Sequence, residues 1–270
     1  MREKLPLIVF TLLAQAGVGL FIVAECFGGA GFKGSVLRWA LTLTASSMVI
    51  SLLHLGNPLG AYRALGNLKS SWLSREIACL GVFFVLVFIE FAFPSMEVGG
   101  KTVVGWAAVG AGALCLFSMA SIYSHTAIPA WNGWYTHISF HSAAAILGAA
   151  LYFVAAIAGG QAELATRGLI LVATGTGIQL VALIVYLPIL AEGSSAKRAT
   201  SRILSSQRNW LVMGQLLTVV GGLGIPLAIG FGAIQGDAIV YGILLLSAAG
   251  QLIGRSLFYV TGVHAMLEQY

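Results

Sequence analysis

Apolar residues dominate this chain in long stretches separated by short polar connectors. A helix needs about 20 mostly apolar residues to cross the hydrocarbon of a bilayer. Eight stretches qualify: 5–27, 37–55, 77–93, 103–122, 138–158, 168–190, 211–231 and 239–263. The pattern predicts an all-α integral membrane protein, a single transmembrane domain over 1–270 with its eight helices in an up-and-down bundle. Arg2 and Lys4 precede the first stretch as they would a signal peptide, but its apolar run is too long, so it reads as a retained helix. The longest connectors are 56–75 and 191–210, both on the side of the N-terminus. Neither is long enough for a soluble domain, so any chemistry takes place in the membrane or on a partner.

Composition supports this reading. The chain is 59% hydrophobic and 9% charged, against about a quarter charged residues in soluble domains. Its 34 glycines suit membrane helices, where small residues let backbones approach closely. Cys26, Cys79 and Cys115 lie inside apolar runs, with no paired spacing for a disulfide framework, zinc or an iron-sulfur cluster.

The net charge is +5, without the basic and aromatic interleaving that nucleic acid would need. On the N-terminal side lie Arg2, Lys4, Arg63, Lys69, Arg75, Lys197, Arg198, Arg202 and Arg208; on the other, Lys33, Arg38, Lys101 and Arg167. Nine against four predicts both termini in the cytoplasm, because basic connectors are retained there.

Ionisable and amide side chains at membrane depth are costly and are functional candidates by default. Here they include Gln15, His54, Glu76, Tyr123, His125, Gln179, Gln215, Gln251 and Arg255. Glu25, Glu90 and His264 fall near predicted helix ends, where water or headgroups satisfy them. His54 closes the second stretch and Glu76 opens the third, so one connector brings an imidazole and a carboxyl to the same membrane face. Quinol oxidation releases two protons with two electrons, and His and Glu are common proton acceptors for such a step. The alternative is that Glu76 only complements the positive end of its helix, after a cap at Ser74. His137 and His141, four apart, share a helical face. A haem held by two histidines needs them on facing helices, so this pair reads as interfacial, near Trp131 and Trp134. No phosphate-binding glycine loop, zinc-protease motif or nucleophile elbow is present in a suitable setting.

The segment 51–77, SLLHLGNPLGAYRALGNLKSSWLSREI, resembles the DmsC family of membrane-anchor subunits of dimethyl sulfoxide reductase-like molybdenum enzymes. The resemblance rests on His54-Leu-Gly-x-Pro58, then a basic connector, then Ser74-x-Glu76-Ile77. It continues in Phe10 to Gln15, in Tyr123 through Ile128-Pro129-Ala130-Trp131, and in Gly254 to Tyr259, and so covers essentially the whole chain.

The resemblance implies an anchor in the bacterial cytoplasmic membrane, working in anaerobic respiration, that exchanges electrons between menaquinone or ubiquinone and a ferredoxin-like iron-sulfur subunit. That subunit would carry [4Fe-4S] clusters, dock on the His54/Glu76 face and serve a molybdopterin catalytic subunit. Anchors of this type serve reductases of sulfoxides, selenate, tetrathionate or polysulfide, and oxidases that feed quinone. The family's quinol residues fall on His54 and Glu76, with Tyr123 as a further carry-over. Gln15, Arg75 and Arg255 complete the candidate quinone-binding set. No cofactor or metal is expected on this chain itself. Two other functions fit the sequence less well: a b-haem electron carrier, supported only by five histidines, and a secondary transporter with glycine-rich helices and buried glutamines.

Overall fold

The computed structural model describes residues 4–28, 33–53, 63, 65–232 and 237–262. The helices are α1 (Leu5–Phe27), α2 (Lys33–Leu53), α3 (Trp72–Ala92), α4 (Val98–Ser124), α5 (Trp134–Ala158), α6 (Ala162–Glu192), α7 (Ser195–Ser206), α8 (Arg208–Val219), α9 (Ile225–Gly230) and α10 (Asp237–Val260). A π-helical turn, Val220–Gly224, joins α8 to α9 into one span. Eight spans are long and apolar enough to cross a membrane, and they run up and down as expected. With an even number of spans, Lys4 and Tyr259 meet at one end of the bundle, where Lys4 Nζ donates to the Tyr259 carbonyl at 2.8 Å.

The helices α1 and α5 form the centre: 72% and 78% of their apolar windows are buried, against 28% for α2 and α3. Their approach is set by glycine. A Cβ on Gly19 would stand 2.0 Å from the Ala144 carbonyl oxygen, and one on Gly148 would stand 2.2 Å from the Gly19 carbonyl carbon. Lipid offers apolar side chains no less than a protein interior does, so close van der Waals contact between backbones is what holds such a crossing together. Around it lie two apolar clusters. One joins α1 to α3 and α4 through Phe21, Phe83 and Met119. The other joins α5 to α6 and α10 through Tyr152, Phe153 and Ile243.

Several helices start earlier than the apolar runs, and three differences from the sequence reading change the placement of charged residues. Helix α3 starts at Trp72, capped by the Ser71 side chain, which accepts from the Ser74 backbone N–H at 3.2 Å. Ser74 is thus inside the helix, and Glu76 is a turn within it. Helix α2 starts at Lys33 because that lysine is neutralised: its Nζ lies 2.8 Å from Glu25 Oε2 and 2.5 Å from Glu90 Oε1. Glu25 and Glu90 are therefore ion-paired inside the protein, not left to headgroups. Finally, the connector 191–210 folds into α7, a strongly amphipathic helix that buries Ala196 and Thr200. Its Thr200 hydroxyl donates to the Thr261 carbonyl at 2.9 Å and ties α7 to the end of α10.

Candidate functional site

At the end of the bundle shared by Lys4 and Tyr259, four helices bring buried polar groups together. Helix α3 supplies Glu76, 2% exposed, whose Oε1 has no hydrogen-bond partner among the described residues. Helix α4 supplies Tyr123 and α10 supplies Tyr259, and the Tyr259 hydroxyl donates to that of Tyr123 at 2.8 Å. Glu76 faces the helix that carries Tyr123, since Cys115 Sγ of α4 lies 3.9 Å from the Glu76 carbonyl oxygen. Arg255, four residues before Tyr259 and hence on the same helical face, donates from Nη2 to Gln15 Oε1 of α1 at 3.2 Å.

The surroundings are aromatic. The Arg255 guanidinium stands 3.5 Å over the Phe140 ring, a contact worth about 2 kcal/mol when shielded from water. The Tyr123 ring packs within 5.4–5.6 Å of Trp131, Phe140, Phe258 and Tyr259. Trp131 stacks on Phe258 at 5.0 Å and donates from its indole N–H to the Phe258 carbonyl at 3.0 Å. A carboxyl and a guanidinium thus flank a hydrogen-bonded phenol pair inside apolar walls. Arg255 Nε and Nη1 and Gln15 Nε2 remain without hydrogen-bond partners among the described residues. Buried polar groups are rarely left so, which makes this cluster suited to a polar molecule entering from the membrane.

Of the six residues expected from the sequence, four come together here: Gln15, Glu76, Tyr123 and Arg255. Arg75 does not join them. It is held on the connector, donating to the Leu68 carbonyl at 2.9 Å and the Lys69 carbonyl at 2.6 Å, with its guanidinium 4.1 Å over the Trp72 ring. His54 lies outside the described residues, next to the last residue of α2. The sequence reading missed Tyr259 and Phe140 as site residues. Tyr259 had a usable signal in its four-residue spacing from Arg255, whereas nothing in the sequence marks Phe140.

The histidines form a separate group. Ser124 Oγ lies 3.1 Å from His125 Nδ1 and 3.0 Å from His137 Nε2, and His141 Nδ1 lies 2.7 Å from the His137 carbonyl. Among the described residues, no group of three or more His, Cys, Asp or Glu side chains is arranged to hold a metal ion.

An eight-span bundle with a buried acid, phenol and guanidinium cluster at one end, and connectors too short for a soluble domain, defines a membrane subunit. The chain belongs to the DMSO reductase anchor subunit (DmsC) family, whose sequence model matches residues 1–261. It is similar to YnfH of the anaerobic dimethyl sulfoxide reductase group in Escherichia coli, with 26% identity over 96% of this chain and 94% of that one. A polypeptide of the anaerobic dimethyl sulfoxide reductase of Haemophilus influenzae is 31% identical, over 59% of this chain and 61% of its own length. A polypeptide of the sulfite dehydrogenase of Allochromatium vinosum is 31% identical over 37% of this chain and 36% of its own. The protein is a membrane anchor subunit of a DMSO reductase-like complex.

Proposed function

We propose that this anchor exchanges electrons between the membrane quinone pool, menaquinone or ubiquinone, and an iron-sulfur subunit that serves a molybdopterin catalytic subunit. Glu76 and His54 are the proton-exchanging groups, and Tyr123, Gln15 and Arg255 complete the polar cluster that serves the quinone. The observation that carries the reading is the Glu76 carboxyl, buried among membrane helices with a free oxygen beside the Tyr123–Tyr259 pair. A structural carboxyl at that depth would normally be paired with a cation, as Glu25 and Glu90 are with Lys33. A quinol hydroxyl, in contrast, needs an acceptor oxygen that is not already engaged. Arg75 stays with the docking surface in this proposal: with Lys69 and Arg63 it makes the connector basic where the iron-sulfur subunit would dock.

The test is quinol oxidation by the assembled complex compared with electron delivery from a soluble dye directly into the partner subunits. Glu76→Gln and His54→Ala are expected to abolish the first and spare the second, with all subunits still copurifying. Wild-type quinol turnover in both variants would overturn the assignment.

A further inference from the structure

A partly open cavity lies between α5, α6, α8 and α10 at the end of the bundle that carries Glu76, and of its polar lining the reading above uses only Arg255. Its floor is the reciprocal amide pair of Gln179 and Gln251, whose Nε2 groups each donate to the other's Oε1 at 3.3 and 2.7 Å. Its roof is α7, through Thr200 and Leu204, together with Thr261. From Gln251 to Thr261 is ten residues of chain, about 15 Å of helical rise. The space is therefore a shaft running from the membrane face into the bilayer.

Leu183, Leu187, Leu211 and Leu257 make much of its lining apolar, whereas Tyr135, Gln215 and Arg255 add polar groups to the amide floor. Among the described residues no carboxylate lines it. Arg255 is 4% exposed and keeps Nε and Nη1 unpartnered. Tyr135 stacks on Tyr186 at 4.0 Å, and the Tyr186 hydroxyl donates to the Ala130 carbonyl, which fixes that wall.

We infer that this shaft is the seat of the quinone: the ring lies between Arg255 and the Gln179–Gln251 pair, and the apolar tail lies along the leucines. The inference rests on the quinone reading above and gives that reading a location. Glutamine amides donate to a quinone carbonyl and accept from a quinol hydroxyl, so they hold both redox forms. Arginine only donates, and favours an oxygen carrying negative charge. A ligand with two opposed oxygens and a long apolar tail uses every wall of the shaft, whereas a small anion would leave the leucines and amides idle.

The stacked Trp131 and Phe258 rings separate this seat from Tyr123. Arg255 is the polar side chain that lines the shaft and also bonds within the Glu76 cluster, to Gln15. The two protons that a bound quinol releases are taken up by the proton-exchanging groups of the reading above. Both electrons go to the iron-sulfur partner, leaving quinone.

The assembled complex in lipid nanodiscs is irradiated with a short-tailed naphthoquinone carrying a diazirine, and the labelled peptides are mapped with and without excess menaquinone. Labels within 179–190 or 251–261 that disappear under competition are expected, and they persist in Glu76→Gln. Competed labels confined to 53–92, or labels that competition does not reduce, would overturn the seat. Leu187→Trp narrows the shaft, and is expected to raise the KM for quinol about tenfold or more with dye-linked turnover unchanged. An unchanged KM in an assembled Leu187→Trp complex would also count against the seat, and if that variant fails to assemble, the wild-type labelling decides. A wild-type complex that neither oxidises nor reduces quinone would instead overturn the quinone reading itself.

Discussion

At the scale of single residues, burial and pairing separate side chains with similar chemistry. Glu90 and Glu76 are both buried acids of α3, yet Lys33 holds the first and no cation among the described residues holds the second. Removing a proton acceptor costs about 10²–10⁴ in rate, so Glu76→Gln is expected to lower quinol-linked kcat by that order and leave assembly intact, as measured by quinol assay and copurification. Tyr259→Phe removes one hydroxyl from the phenol pair. Its expected cost to stability is about 0.5–1.5 kcal/mol, the net value of one hydrogen bond, read by denaturation of the detergent-solubilised complex; under the proposed function quinol turnover falls with it. The sequence made Glu76, Tyr123, Gln15 and Arg255 legible, since intramembrane polar groups are few. It misplaced Arg75, because neighbours on a helix point about 100° apart and adjacency in sequence is not adjacency in space. The phenol pair was not legible, since its two partners are 136 residues apart and only the packing of both α4 and α10 on α1 and α5 brings them together.

At the scale of helices, the α1–α5 crossing and the Lys33 triad do different work. At the crossing, a side chain on Gly19 or Gly148 meets backbone, which cannot rotate away. Gly148→Val is expected to cost more than the roughly 1–3 kcal/mol typical of overpacking and to deplete the subunit from membranes. Gly110→Ala, on α4 with nothing within 4 Å of the added Cβ, should leave its abundance unchanged; immunoblots of membrane fractions compare the two. At the triad, Lys33→Met leaves two carboxylates facing each other without their cation. Breaking a fully buried pair costs about 3–5 kcal/mol, and a third of the Lys33 side chain is exposed, so a smaller loss is expected, with rescue by Lys33→Arg. Apolar run length made all eight spans legible but set the starts of α2 and α3 four and five residues late, because Lys33 and Arg75 count as polar however well they are satisfied. The amphipathic α7 was hidden in the same way: a polar, basic stretch reads as a connector until one of its faces is seen packed on α6.

At the scale of the whole molecule, the decisive asymmetry is between the two ends of the bundle. The Glu76 cluster, the shaft and the basic connectors share one end, and the Lys33 triad, with Arg167 bound to Glu163 at 2.6 Å, lies at the other. Charge at the first end is exposed on Lys69, Arg198, Arg202 and Arg208, whereas at the second Arg38 is exposed and Lys33 and Arg167 are engaged in ion pairs. The asymmetry that orients the chain is therefore stronger than the count of nine against four, because paired basic residues act less as free charge. Retention of free positive charge in the cytoplasm leads us to propose that the α7 end faces inward, where an acidic partner face would find it. Single cysteines introduced at Gly66, Ser205 and Gly99 in a chain whose native cysteines are replaced by alanine test this with a thiol reagent that does not cross the membrane. In intact cells only Gly99→Cys should react, and in inverted vesicles only Gly66→Cys and Ser205→Cys. Reaction of Gly66→Cys and Ser205→Cys from opposite sides would break the up-and-down topology itself. Reaction of both from outside would keep the topology, reverse the orientation, and place the docking surface and the mouth of the shaft on the outer face of the membrane.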